Sequence, residues 1–369
     1  MVCAALDLTE ATTTRKLSAK LLPTNLRASR SELELLVASV VVVAQLGHRC
    51  HPRMRHSPAL SRRLMSAAKR PLRVGGVPEH FNTPWHTAAA NGRFQREAGV
   101  AVEWVEFPGG TGAMTKALRD ESIDVAILLT EGIVADLHRG NPSKIVGTYV
   151  GTPLTWGVHV PAGSPVRDVE GLRADGAPAR YAVSRMGSGS HLMAVVDARS
   201  RGWEPATALE FEIVGGLDGC RAAFRDGGAA AHRLAFMWEK FTTKPYVDGG
   251  EFARIGECVT PWPCFLVAAS DAALAAQGDA IVAALRVVRE EAARLRKAPD
   301  LVAVISKMYG LAEADVAEWL GTVAWESEPA VSHAMLARVM ETLADVGVLE
   351  RADLVPPSAL VSALTRNLD

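Results

Sequence analysis

The sequence predicts an α/β fold in which two runs of alternating strands and helices precede a helical tail. Three observations lead there. Short apolar runs of strand length, such as Ile123–Leu129 and Phe265–Ala269, alternate with longer helix-like stretches punctuated by Gly and Pro. The alternation opens near Leu72 and starts afresh near Trp156. From Ser270 onward the apolar residues recur at helical spacing almost to the end. Strand–helix alternation is the mark of mostly parallel sheets with helices on both faces.

The elements follow in order. Leu72–Val77 reads as a strand, followed by the loop Pro78-Glu79-His80-Phe81-Asn82. Thr83 is the expected N-cap of a helix over 84–98, with Pro84 at its first position. Ala101–Phe107 alternates apolar and acidic residues, as a strand does. The turn Pro108-Gly109-Gly110-Thr111-Gly112-Ala113-Met114 feeds a helix that ends near Arg119. After the strand 123–129, Thr130 is the expected cap of a helix stopped by Gly140-Asn141-Pro142, and Ile145–Val150 is a strand. The second run has strands at 156–160, 180–184, 211–214, 234–238 and 265–269. Its helices start at Ser164-Pro165, at Gly187-Ser188-Gly189-Ser190-His191 and at Leu217, the last ending at Gly227-Gly228. The tail predicts helices over about 271–298, 300–308, 312–320 and 329–346.

At 369 residues, 49% hydrophobic and 22% charged, the chain has room for more than one core. The net charge of −1 excludes a global field that would draw it to nucleic acid or acidic membrane. Charge is nevertheless uneven: residues 1–70 carry 12 Lys/Arg against 4 Asp/Glu, a net of +8, and the remainder carries −9. The Arg- and Ser-rich, acid-poor stretch before Pro78 has the composition of an organelle transit peptide. The alternative is a true start at Met54 or Met65. Residues 1–70 are therefore set apart from the fold, and the expected location is mitochondrial or cytoplasmic. The longest apolar run, Leu35–Leu46, has 12 residues, short of the ~20 that span a bilayer, so no membrane insertion is expected. Five irregularly spaced cysteines predict neither a disulfide framework nor a zinc site. No cofactor and no metal is expected.

Several short motifs fit a ligand site. Gly110-Thr111-Gly112 lies where a helix starts, and unpaired N–H groups and the helix dipole there favour an anion. It lacks the Lys-Ser/Thr of a phosphate loop, and Thr115 spoils a dinucleotide fingerprint. Ser188-Gly189-Ser190-His191 is its counterpart in the second run, and its spacing is not that of a nucleophile elbow. Each has a plainer reading, as a strand-to-helix turn capped by Thr111 or Ser188. Glu79, His80 and Phe81 follow the first strand, beyond whose carboxyl end ligands sit in such sheets. Thr130 and Glu131 open another helix, where Glu131 also reads as a favourable first-turn acid. Among Trp85, Trp156, Trp238 and Trp262, one or two are expected to stack on a planar ligand and the others to be core. Glu239 follows Trp238 at a strand end and is a further candidate contact.

The order of these motifs resembles the type 2 periplasmic-binding-protein superfamily. The residues that carry the likeness are Gly109-Gly110-Thr111-Gly112-Ala113-Met114 before a helix, Asp124-Val125-Ala126-Ile127, Thr130-Glu131-Gly132, Ser164-Pro165-Val166-Arg167-Asp168-Val169-Glu170-Gly171-Leu172 and the serine turn at 187–191. Within it the chain is similar to the nitrate/sulfonate/taurine and thiamine-pyrimidine-precursor group. Val77-Pro78-Glu79-His80-Phe81 most resembles a fungal, Candida-type intracellular branch. The likeness covers about residues 71–300. It implies a two-lobed fold with a two-strand hinge and C-terminal helices. Lobe one would comprise 71–156 with 261–369, and lobe two 157–260. The eukaryotic thiamine-pyrimidine synthases of this group carry adjacent cysteines for iron, and no two cysteines are adjacent here.

The function expected from this is binding of a small anionic or heterocyclic organic solute between two lobes, without turnover. The alternative is an enzyme of thiamine-pyrimidine or related cofactor-precursor metabolism, with Glu79, His80 and His191 as acid–base groups. A third possibility, an interaction protein, would use the C-terminal helices, whose amphipathic faces are expected to cover lobe one instead.

Overall fold

The computed structural model describes residues 70–369, and the transit-peptide reading lies outside them apart from Arg70. Arg70 belongs to the fold, because its guanidinium grips the Asp124 carboxylate with two hydrogen bonds of 2.7 Å.

Two sheets organise the chain. The first takes β1 (Leu72–Gly76), β2 (Val102–Glu106), β3 (Val125–Leu129) and β4 (Ser143–Val150). The second takes β5 (Thr155–Pro161), β6 (Ala179–Val183), β7 (Leu209–Ile213), β8 (Leu234–Glu239) and β9 (Phe252–Val259). The chain then returns to the first sheet as β10 (Phe265–Ser270) and adds β11 (Trp325–Glu328) at its edge. The strand orders are β11-β4-β10-β3-β1-β2 and β7-β6-β8-β5-β9. In each sheet the strand delivered by a crossing runs antiparallel to its neighbours: β10 beside β3 and β4, and β5 beside β8 and β9. Central strands such as β3 and β10 read as continuous apolar runs because both faces are covered.

Seven helices position the cleft and the core: α1 (Thr83–Ala90), α2 (Thr111–Arg119), α3 (Thr130–His138), α4 (Gly189–Ser200), α5 (Leu217–Asp226), α6 (Asp271–Leu295) and α7 (His333–Asp345). Helix α6 buries Ile281, Leu285 and Val288 and packs on α1, while α7 packs on α3. The tail helices thus cover the first lobe. Between them lie helices at Leu301–Tyr309 and Glu313–Leu320.

Several local expectations differ from the structure. Asn82, not Thr83, precedes α1, and the Thr83 hydroxyl donates to the His80 carbonyl at 2.7 Å. Helix α1 stops at Ala90 because Gly92 enters the left-handed region at φ 63°, and a π-type turn at Phe94–Ala98 replaces the expected continuation. Thr130 is the first residue of α3 rather than its cap, and its hydroxyl donates to the Pro263 carbonyl at 2.5 Å. Ser164 starts no helix. Its hydroxyl closes a turn by accepting from the Val166 N–H and donating to the His232 carbonyl, and one 3₁₀ turn follows at Glu170–Arg173. The fourth tail helix starts at His333, after a two-residue strand, rather than at 329. Strand β9 escapes the sequence pattern because its register against β5 shifts between Val158 and His159, leaving Ile255 without a partner, and five of its eight residues are not buried.

The two crossings between sheets, β4 to β5 and β9 to β10, are tied to each other. Leu154 N–H donates to Thr260 Oγ1 at 2.8 Å, Thr260 N–H to the Leu154 carbonyl at 2.9 Å, and Cys264 N–H to the Thr152 carbonyl at 3.0 Å.

Candidate functional site

Between the two sheets lies an inner cavity of about 50 Å³, with room for a few waters. It opens into an outer cleft of about 720 Å³, and Val77, Glu79, Gly109 and Trp238 line both. Organic ligands commonly occupy ~300 Å³ or more, which the outer cleft has room for and the inner cavity does not.

The cavity lies beyond the carboxyl ends of the parallel strands, where such sheets put their ligands. Glu79 follows β1, Gly109–Thr111 follow β2, and Ser184 with Ser188–Ser190 follow β6. Trp238 and Glu239 end β8, while Leu154, Trp156 and Phe265 come from the crossings and the strands they enter.

Two helices start at the cavity from opposite lobes. Helix α2 begins after Gly110, whose φ of 68° and ψ of −161° suit glycine alone, and no side chain caps it. Ala113 is its first residue whose N–H finds a backbone acceptor, the Gly110 carbonyl, so the N–H groups of Thr111 and Gly112 have no backbone partner. The Thr111 hydroxyl accepts from the Leu129 N–H at 3.1 Å, which leaves its proton for a further acceptor. Helix α4 is capped by Ser188, which accepts from the His191 N–H and lies 3.0 Å from the Ser190 hydroxyl. Ser190 in turn accepts from the Ser184 N–H at 3.2 Å. Both ends carry the positive pole of a helix dipole toward one cavity.

The lobes approach closely there. A Cβ on Gly189 would lie 2.4 Å from Leu129 Cδ1 of the first lobe and 2.9 Å from Trp156 Cη2. Trp238 of the second lobe donates from Nε1 to Glu79 Oε1 of the first at 3.2 Å. Trp156 is 4% exposed, and its Nε1 has no hydrogen-bond partner.

Two carboxylates share the cavity. Burial, then the nearby Glu239 charge, pushes Glu79 up to about 8. Burial pushes Glu239 up to about 7, although the Thr242 N–H donates to its Oε2 at 2.6 Å. Among the described residues no Lys or Arg lines the cavity. Lys240 pairs with Glu257 and Glu318, and Lys244 with Asp248.

Of the residues singled out by sequence, the structure brings Glu79, Gly110, Thr111, Trp156, Ser188, Gly189, Ser190, Trp238 and Glu239 together at this cavity. The others sit elsewhere. His80 lines the outer cleft, buried edge-on against Trp319 at 4.2 Å, and burial lowers it to about 3, so it is neutral. Phe81 is core, packed on Phe265 and Trp319, with its carbonyl accepting from Tyr149 Oη and Trp325 Nε1. Gly112 lies one residue too far into α2, beneath the Arg185 guanidinium. Thr130 and Glu131 hold the return crossing: Trp262 Nε1 donates to Glu131 Oε2 at 2.9 Å. His191 turns away from the cavity, accepting at Nδ1 from the Gly187 N–H and standing edge-on to Phe211. Trp85 and Trp262 are buried outside the cavity. Sequence reading missed Val77, Leu129, Leu154, Ser184 and Phe265, apolar or small residues whose only signal is their place at strand ends. Among the described residues no cluster of three or more His, Cys, Asp or Glu could hold a metal, and Cys220, Cys258 and Cys264 are free and buried. No described helix is long and apolar enough to cross a membrane.

This architecture has solved counterparts. The Ca3427-like PBP family matches residues 159–258. The structure of the Candida albicans CA3427 gene product, which defines a family with the generic periplasmic-binding-protein fold, is 28% identical. That match covers 81% of this chain and 98% of that one, at a TM-score of 0.72. The alkanesulfonate-binding protein of Xanthomonas axonopodis pv. citri, bound to MOPS, is 18% identical over 80% of this chain and 99% of that one, at a TM-score of 0.64. The periplasmic aliphatic sulphonate-binding protein of Escherichia coli is 19% identical over 78% and 94%, at a TM-score of 0.58. No curated protein matches the chain.

Proposed function

Because the chain has the type 2 periplasmic-binding-protein fold and its second lobe matches the Ca3427-like family, we propose that it is a solute-binding protein. Its lobes close, without turnover, on a small anionic or heterocyclic organic compound. One observation carries this reading: helices α2 and α4 start at a single cavity from opposite lobes. An oxyanion placed there meets three N–H groups, those of Thr111, Gly189 and Ser190, that have no backbone acceptor. It also meets the hydroxyls of Thr111, Ser188 and Ser190. Trp156 and Trp238 supply flat apolar walls for a ring or alkyl chain. The sulfonate ligands of the structural neighbours make organosulfonates the first class to test.

The test is native mass spectrometry of the purified chain, with a thermal-shift series of alkanesulfonates, carboxylates and pyrimidines. A stoichiometric adduct, or a raised Tm, that is lost in Thr111→Ala with Ser188→Ala supports the reading. A bare protein unmoved by every compound sinks it.

A second reading, turnover of a pyrimidine-type cofactor precursor, draws on the Glu79–Glu239 pair, whose raised proton affinities near neutrality suit general acid–base work. His191 stands away from the cavity, and His80 is neutral in the outer cleft, so neither joins the carboxylates there. Any adduct whose mass changes during incubation would favour this second reading.

A further inference from the structure

Arg139 and Arg185 come from different lobes. Arg139 follows α3, which joins β3 to β4 of the first sheet, and Arg185 follows β6 of the second. Both nevertheless reach one point: a Cβ on Gly187 would stand 3.8 Å from Nη1 of each. The local fold adds to this convergence of like charge. The Arg185 guanidinium lies on Gly112, the second residue of α2, and Gly187 directly precedes Ser188, the cap of α4. Arg185 thus stands by the positive poles of two helices, where a cation is disfavoured. It is partly buried, and its Nε has no hydrogen-bond partner. Burial lowers its proton affinity, Asp136 raises it and Arg139 lowers it. Asp136 Oδ2 is already taken by Arg119 at 3.0 Å and by Asn141 Nδ2 at 2.5 Å. That one carboxylate therefore serves two guanidinium groups, and among the described residues none pairs with Arg139.

Beside these arginines lies a surface pocket of about 270 Å³, walled by Arg139, Met186, Gly187, His191, Gly347 and Val348. It shares no lining residue with the inner cavity or the outer cleft. His191 Nδ1 accepts from the Gly187 N–H at 3.1 Å, which leaves Nε2 as the donor of the ring. Burial, then the charges of Arg139 and Arg185, lower its proton affinity, so the ring is neutral near pH 7. The pocket therefore gathers two cations and a neutral donor, and lacks an anion to balance them.

From this we propose a second binding site, apart from the cleft, that takes a phosphate-type dianion between Arg139 of the first lobe and Arg185 and His191 of the second. The dianion is inorganic phosphate or the terminal group of a phosphate monoester. Its charge offsets both guanidinium groups, and their planar forks match its oxygens. Because the partners come from both lobes, the bound anion holds the lobes together. By linkage it should raise the affinity of the cleft for its solute. That consequence rests on the solute-binding reading, whereas the anion site itself does not.

The experiment is calorimetry on the full chain at pH 7 and constant ionic strength, titrating inorganic phosphate and glycerophosphate. Stoichiometric binding is expected, weakened about tenfold or more in Arg139→Gln and in Arg185→Gln. It should persist in Thr111→Ala with Ser188→Ala, which alters only the cleft. Arg139→Lys keeps the charge without the fork and should fall between the parent and Arg139→Gln. Binding of both compounds would identify a monoester as a source, and binding of inorganic phosphate alone the free ion; either supports the site. No binding to the parent, or binding that survives both arginine changes, would overturn it. Loss confined to Thr111→Ala with Ser188→Ala would put the anion in the cleft and overturn it as well. Should Arg185→Gln fail to fold, Arg139→Gln decides, since Arg139 is exposed. A solute adduct in the cleft with no phosphate response would sink this proposal and leave the solute-binding reading standing.

Discussion

In the first lobe the helix facing the cavity starts at Gly110, in a backbone conformation open to glycine, with no side-chain hydrogen bond capping its end. In the second lobe the equivalent helix starts at Ser188, in extended backbone, with its own hydroxyl across the end. The strand orders around them match: β2-β1-β3-β10-β4 in one sheet, β7-β6-β8-β5-β9 in the other. Equivalent scaffolds thus reach one cavity with different chemistry. The first lobe presents bare N–H groups shaped by backbone freedom. The second presents a serine network that has already satisfied part of its helix end. The first lobe should therefore discriminate ligands by how well they replace a missing cap, and the second mainly by hydroxyl geometry.

The largest effect should come from the place where the lobes touch. Gly189→Ala puts a methyl group against Leu129 and Trp156, and overpacking of this kind costs roughly 1–3 kcal/mol. Ligand affinity, which needs the lobes in contact, should fall by up to about a hundredfold. An unchanged Kd would show that closure does not bring Gly189 to Leu129.

Gly110→Ala tests the first lobe. Its positive φ with extended ψ should cost about 1–3 kcal/mol of stability, read as a lowered denaturation midpoint. A neutral outcome would mean that the start of α2 relaxes freely, and the contrast between the lobes would fail.

The pH dependence sharpens the comparison further. Glu79, Glu239 and Glu131 have folded-state proton affinities raised to about 8, 7 and 7. Their contribution is complete below the ordinary carboxylate value of 4.5 and is lost as pH rises through those values. His80, lowered to about 3, works in the opposite sense, but only below its ordinary 6.5. Between pH 6.5 and 8 the carboxylates act alone, so Tm should fall by about a few degrees. Glu79→Gln should flatten that slope. A Tm that rises across the window would count against buried, protonated glutamates.

The smallest change is expected from the second lobe. Ser188→Ala removes the cap of α4 at a cost of about 1 kcal/mol, and Ser188→Gly should cost only a few tenths. Chemical denaturation of the two variants measures the difference. A loss much above 2 kcal/mol would mean that the serine network bears more of the lobe than one cap does.

Much of this was legible in the sequence. The helix over Leu217–Asp226 is bounded by Gly216 and Gly227, and periodicity places both its ends. Nine candidate residues meet at the cavity because strand ends and glycine- or serine-rich helix starts share one side of such a sheet. His80 and His191 were misplaced for a physical reason. Their types suit a site, but which way a ring turns is set by neighbours distant in sequence: Trp319 for one, Phe211 for the other. Thr130 and Glu131 looked like a third helix start at the ligand, and instead they hold the crossing at Trp262–Pro263.

The sequence by itself determined the alternation of strands and helices, the covering tail and the two helix starts, because these follow from local periodicity and from what Gly, Ser and Pro do to a backbone. Only the tertiary structure decided that Glu79 and Glu239 share one cavity that no described Lys or Arg lines, and that Trp156 Nε1 has no hydrogen-bond partner among the described residues. Those facts arise from the juxtaposition of residues some 160 positions apart, and the charge balance of an enclosed space depends on which groups surround it rather than on which groups adjoin in the chain.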